Sequence, residues 1–143
     1  MEVKFLAAGK TNEEALSFVC RLSADLVLDV DTNQKIDIRC QNVEEAMEID
    51  KLLWIEPEEA FLPHSLSNNR KESDLIEIGY PGTKFIKINK KILINLNPSL
   101  PNQLTNYSKY FQIVVEDESV YRETVAKTWN ECKSMDLKPT FIK

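Results

Sequence analysis

KILINLNPSLPNQLTNYSKYFQIVVED, residues 91–117, holds two apolar runs on either side of a polar connection with two prolines. A strand with one wet face alternates apolar and polar residues. ILINL (92–96) and YFQIVV (110–115) barely do, so both read as strands covered by protein on each side, as in parallel sheets. NPSLPNQLTNYS (97–108) reads as a connection with room for one short helical turn. LIEIGYPG (75–82), just upstream, is another strand ending in a turn. Ile36, Ile38 and Cys40 alternate as a strand should, and the run Val3–Ala8 is the first strand.

Helices separate these strands. Thr11 with Glu14 three residues later is a capping signal, and Ala15, Leu16, Phe18, Val19, Leu22 and Leu26 come after it at helical spacing. This helix is expected to stop in the turn-like DVDTNQK (29–35). Asn42 with Glu45 repeats the signal. Val43, Ala46, Met47, Ile49, Leu53 and Trp54 then make one face of a second helix, which Pro57 ends or turns. SLSNNRKESD (65–74) is polar and reads as a loop. Ser119 is the expected cap of a last helix whose stripe is Tyr121, Val125, Trp129 and Cys132. LKPTFIK (137–143) is a tail suited to a strand or to surface packing. The order β-α-β-α-β-β-β-α predicts an α/β sandwich with a mostly parallel sheet in a single domain, residues 1–143.

Composition narrows the function. The net charge of −5 argues against broad, charge-driven binding of nucleic acid. The three cysteines, Cys20, Cys40 and Cys132, are far apart and form no C-x-x-C, which fits buried thiols in a reducing compartment. No window approaches the ~18 apolar residues of a membrane span, and the start of the chain does not read as a signal peptide. A cytoplasmic protein is expected.

Chemical motifs are sparse. With only Gly9, Gly79 and Gly82, neither glycine-rich phosphate loop can be written, although Gly9-Lys10-Thr11 imitates the end of one. In LVLDVDTN (26–33) an apolar run precedes Asp29-x-Asp31, similar to the nucleophile motif of haloacid-dehalogenase-like phosphatases, with VVEDES (114–119) as an imitation of their metal-binding acids. A helix running into an Asp- and Asn-rich turn explains the same residues. EPEE (56–59) and EDE (116–118) read as solvated faces, and no carboxylate pair stands out. No cofactor or metal is expected. His64 comes directly after Pro63 and has no second histidine near it in sequence, so a turn-fixing role is expected.

The unusual stretch is LLWIEPEEAFLPHSL (52–66). It carries Trp54, two prolines, Phe61 and the chain's only histidine. Phe61 and Leu62 are adjacent, so in an extended segment one points outward. Exposed aromatics rimmed by polar groups typically mark a partner site.

These residues also carry a family resemblance. Ile49-Asp50, Leu53-Trp54, Pro57, Phe61 and Pro63-His64 resemble, in this order, a motif of the chi subunit of bacterial DNA polymerase III holoenzyme. LIEIGYPG, ILINL (92–96), VVED (114–117) and the last helix are similar to the later strands and final helix of that family. The resemblance implies a nucleotide-binding-like three-layer topology without a phosphate loop. It also implies a non-catalytic bacterial replication adaptor, a subunit of the holoenzyme.

The implied partners are the psi subunit of the clamp loader and the acidic, Phe-ended C-terminal tail of the single-stranded DNA-binding protein. An iron–sulfur helicase is a further implied partner, and direct DNA binding is not expected. Trp54, Pro57, Phe61, Leu62, Pro63 and His64 would face psi, with Phe61 as anchor and the prolines limiting the entropy lost on docking. The tail would meet Val115, Arg122, Ala126, Trp129, Asn130 and Lys133. Ala126 and Asn130 depart from the family, which carries basic residues there. Residues 122, 126, 129, 130 and 133 share one helix side, so Lys133 is the better substitute cation than Lys127.

Overall fold

The computed structural model describes residues 1–29, 34–55, 63–67, 74–88 and 91–143. It contains strands β1 (Glu2–Ala7), β2 (Ile36–Arg39), β3 (His64–Leu66), β4 (Ile76–Gly79), β5 (Lys91–Asn95), β6 (Tyr107–Val114) and β7 (Thr140–Ile142). Its helices are α1 (Asn12–Leu28), α2 (Val43–Leu52) and α3 (Ser119–Ser134). The strands form one sheet in the order β3-β4-β2-β5-β6-β1-β7, and every pairing is parallel. The chain is thus an α/β sandwich. The tail contributes β7 at one edge, and the other edge, β3, is a strand where a loop was expected.

The register divides the sheet into two faces of different chemistry. His64 Nε2 lies 3.0 Å from Asp50 O of α2, so its side of the sheet faces that helix. His64 pairs with Ile76, Ile76 with Ile36, and Ile36 with Ile92. With Ile38, Ile78 and Ile94 two residues on, this face is a block of fully buried isoleucines. Phe5 meets Trp129 of α3 edge-on at 4.9 Å, so the opposite face lies toward α3. Val3, Tyr110, Leu93, Asp37, Glu77 and Ser65 form one row across that face, and Phe5, Gln112, Asn95, Arg39 and Gly79 form the next. One side of the sheet is largely hydrocarbon; the other mixes apolar residues with buried polar and charged ones. Right-handed crossovers account for the sides taken by the helices. β1 to β2 and β2 to β3 run toward one edge, whereas β6 to β7 runs toward the other.

Both early capping signals are used. Thr11 Oγ1 accepts from Glu14 N at 3.3 Å, and Asn42 Oδ1 accepts from Glu45 N at 2.8 Å. Each glutamate reaches back one residue beyond the cap: Lys10 N donates to Glu14, and Gln41 N donates to Glu45. Ser119 is different. It is the first residue of α3, the cap position is Glu118, and no side chain caps it.

Three further expectations need correction. Val43, Met47 and Trp54 were placed on the buried face of α2, but all are exposed; the buried positions are Glu45, Ala46, Ile49 and Leu53. Ten residues give too little helix for six core positions, and buried Glu45 stays inside because Gln41 satisfies its carboxylate. The helix stops at Leu52, before Pro57, which lies outside the described residues. The connection from β5 to β6 contains no helix: Asn97 Oδ1 and Ser99 tie its start into bends, and a single hydrogen-bonded turn, Tyr107 N to Leu104 O at 3.2 Å, precedes β6.

Candidate functional site

The end of α2 displays apolar surface. Trp54 is 69% exposed, Met47 59% and Ile55 54%. Trp54 is held in place, because its ring lies 4.6 Å from the His64 ring. His64 in turn is anchored by Asp50, through the carbonyl at 3.0 Å and the carboxylate at 3.4 Å. The His64 side chain is fully buried. It sits in edge strand β3, not in a turn as expected. Its buried ring underlies the exposed tryptophan and offers no surface of its own. Pro63 beside it is exposed, and its carbonyl accepts from Leu75 N and Ile76 N, which ties it to β4. Pro57, Phe61 and Leu62 lie outside the described residues.

The other candidate set lies along α3. Arg122, Ala126, Asn130 and Lys133 are exposed, and Trp129 is half-buried. At 100° per residue, Arg122, Ala126, Trp129 and Lys133 line one flank of the buried stripe Tyr121, Val125, Thr128 and Cys132, with Asn130 just beyond them. Thr128 thus takes the stripe position expected of Trp129. Arg122 Nη1 donates to Glu116 O at 3.1 Å, which aims the guanidinium along the helix start. Val115 is 1% exposed. The shallow pocket that it helps line, about 220 Å³, is completed by Val120, Tyr121 and Thr124, on the opposite flank of α3. Val115 and the Arg122–Lys133 stripe therefore belong to neighbouring surfaces.

The end of β1 explains why the short Gly9-Lys10-Thr11 motif makes no phosphate cradle. Gly9 has φ +106°, and a Cβ there would collide with the Glu14 carboxylate. Glu14 Oε2 takes the Lys10 N–H at 2.9 Å. The anion at this helix start is the protein's own. Glu116 N and Asp117 N donate to Gly9 O and Lys10 O, closing the β1 and β6 ends together.

The phosphatase reading fails on secondary structure. A nucleophile of that type belongs at a strand end, but Leu26–Leu28 finish α1 and Asp29 is its C-cap. Asp31 lies outside the described residues.

The sequence reading missed a buried charge cluster on the α3 face of the sheet. Asp37 and Glu77 are directly paired across β2 and β4. Asp37 Oδ1 has no well-aligned hydrogen-bond donor and is held by the Lys91 ammonium 2.5 Å away, while Tyr107 OH donates to Oδ2 at 2.6 Å. Ser67 OH and Ile86 N donate to Glu77. Burial pushes the Asp37 carboxyl up from 3.8 to about 6, against the opposing pull of Lys91 and Tyr107. Burial also pushes the Tyr107 hydroxyl up, with the Asp37 charge adding to it. The charges are matched internally by the Lys91 ion pair and the Tyr107, Ser67 and Ile86 donors, which fits a fold-specifying role. The available signal was IDI (36–38) and IEI (76–78), an acid flanked by isoleucines in two strands covered on both sides. The three cysteines are buried and form no disulfide, and burial raises the Cys132 thiol to about 11.

Known proteins share this sequence pattern. A family model described as "DNA polymerase III chi subunit, HolC" matches residues 1–140. The chain is 26% identical over 119 residues to the DNA polymerase III subunit chi of Haemophilus influenzae, covering 78% of this chain and 80% of that one. It is 25% identical over 118 residues to the protein of the same name from Escherichia coli, covering 81% and 80%. The corresponding Pseudomonas aeruginosa protein is 29% identical over 87 residues, covering 60% and 58%.

Proposed function

The chain belongs to the DNA polymerase III chi subunit family, and from that premise we propose that it is a non-catalytic adaptor of the replication machinery. One surface binds the psi subunit of the clamp loader; another binds the acidic C-terminal tail of the single-stranded DNA-binding protein. The observation that carries this reading is the exposed Trp54, with Met47 on the same helix and Ile55 next in sequence also exposed. A soluble chain has little reason to hold a tryptophan rigidly in water unless a partner covers it. Its support from below by buried His64 and Asp50 makes the surface preorganised, so little is lost on docking.

Pro57, Phe61, Leu62 and Pro63 extend the psi-binding set by family resemblance, and an iron–sulfur helicase is a further partner for the same face. For the tail site, an acidic peptide requires cations beside an apolar slot. Arg122 and Lys133 on one helix flank beside half-buried Trp129 have this chemistry. Ala126 and Asn130 between them contribute no charge, so the attraction is weaker than four cations would provide. Among the described residues no helix is long and apolar enough to cross a membrane.

The test uses the whole chain with psi and with a tail peptide, both from the same organism. Trp54→Ala is expected to abolish psi binding and leave the tail peptide bound. Arg122→Ala is expected to do the reverse, with peptide binding weakening as salt rises. Unchanged psi affinity in Trp54→Ala would remove the basis for this reading.

A further inference from the structure

The sheet face under α3 is only partly covered by that helix. Over β2 and β5 the covering is the crossover from β4 to β5, non-helical over its described residues 80–88, and the connection from β5 to β6. Between them lies a cleft of about 520 Å³, within the ~300–1,000 Å³ of small-ligand sites. Its walls include Tyr80, Phe85 and Tyr107, and the residues Asn102, Gln103 and Asn106. The crossover is firmly seated. Tyr80–Thr83 forms a turn with Gly82 at φ +98°, and the Phe85 ring packs so closely on Gly79 that a Cβ there would meet it at 2.6 Å.

The cleft is basic in a chain of net charge −5. Among the described residues that line it, Arg39, Lys84, Lys87 and Lys91 stand against Asp37, whose neighbour Glu77 lies on the same sheet face. Lys91 and Asp37 neutralise each other, which leaves the positive charges of Arg39 and Lys87 in the lining. Arg39 is the informative one. Its guanidinium is half-buried, and burial pulls its pKa down. Its partners among the described residues are all neutral: Nη1 donates to Asn95 Oδ1 at 3.3 Å and Ser99 O at 2.7 Å, and Nη2 donates to Ser99 Oγ at 3.3 Å. These bonds use the Nη1–Nη2 edge. The Nε–H and the second Nη2–H remain, and they form the planar fork that fits two oxygens of one anion.

We propose that this cleft binds an organic phosphate of mononucleotide size, with the phosphate on the Nε/Nη2 edge of Arg39 and the ring between Tyr80, Phe85 and Tyr107. Lys87, exposed at the cleft, matches the second charge of a phosphomonoester, which a monocarboxylate lacks. Asn102, Gln103 and Asn106 offer donors and acceptors to the edge of a heterocycle. The site is separate from the exposed end of α2 and from the α3 stripe, and it binds without chemistry.

The test is a titration of the isotope-labelled full chain with adenosine monophosphate, adenosine and inorganic phosphate, monitored by NMR and calorimetry. Saturable shifts of the Arg39 Nε–H signal and of amides 80–87 and 102–107 are expected with the monophosphate, with much weaker binding of adenosine or phosphate alone. Arg39→Lys keeps the charge and loses the fork, and is expected to weaken binding roughly tenfold or more. Because Arg39 also braces Ser99, Lys87→Ala supplies a second variant at an exposed position, with a few-fold loss that shrinks at high salt. The proposal is overturned by no saturable shift with the monophosphate, by shifts on another face, or by phosphate binding as tightly as the nucleotide. Wild-type affinity in both variants overturns it as well.

Discussion

Lys91→Met tests the buried polar layer directly. The Lys91 side chain is 2% exposed and that of Asp37 1%. Methionine preserves the stem and removes the ammonium 2.5 Å from Asp37 Oδ1. Tyr107 remains as the donor to Oδ2. Breaking a buried pair from one side costs about 3–5 kcal/mol, because the remaining charge is stranded. The pH dependence identifies the cause. Asp37 already has a folded pKa of about 6, above its ordinary 3.8, so native protein binds its proton more tightly than unfolded chain. Its stabilising contribution is therefore fully present below about pH 4 and lost as pH rises through 6.

Without Lys91 the folded pKa rises further. The deficit of the variant then grows with pH above 6, by up to about 1.4 kcal/mol per unit until the new pKa is passed. At pH 4–5, where Asp37 is protonated in both proteins, the deficit shrinks. Urea unfolding of both proteins at half-unit steps from pH 4 to 8 measures this, with Asp37→Asn and the double variant closing the cycle. A deficit below about 1 kcal/mol at pH 7, or one that does not change with pH, would refute the account of Asp37 as a charge held by Lys91.

Three further outcomes are expected. Asn42→Ala loses a working cap and should cost about 1 kcal/mol, whereas Ser119→Ala should stay within about 0.5 kcal/mol because Ser119 caps nothing; chemical denaturation separates the two. Gly79→Ala forces a methyl against the Phe85 ring and should cost about 1–3 kcal/mol, with part regained in the Gly79→Ala/Phe85→Leu double variant. Trp54→Ala should change thermal stability by only a few tenths of a kcal/mol, because the ring is mostly exposed, while psi capture in a pull-down is lost.

The largely apolar character of ILINL and YFQIVV announced strands covered on both faces, and their burial within a parallel sheet bears it out. The caps of α1 and α2 were legible for the same local reason: Thr11 and Asn42 each satisfy an N–H three residues away. The family was also readable, in the stretch around Trp54. Long-range pairing was not. His64 looks like a turn residue beside Pro63, and only its pairing with Ile76 makes it part of a strand. Trp54 and Met47 keep helical spacing yet point to water, because periodicity defines a face without saying how far a neighbour covers it.

By itself the sequence determined the α/β class, the absence of a glycine-rich phosphate loop and the starts of two helices, since each depends on residues a few positions apart. Tertiary structure alone decided which acids lie inside. Asp37, Glu77, Lys91 and Tyr107 are spread over seventy positions of chain, and Asp37 and Tyr107 meet because strand order places β2, β5 and β6 side by side. It also decided that Arg39, which lines the cleft, is braced by Ser99 sixty positions away. Such encounters depend on register, and register is set by the whole sheet rather than by any one strand.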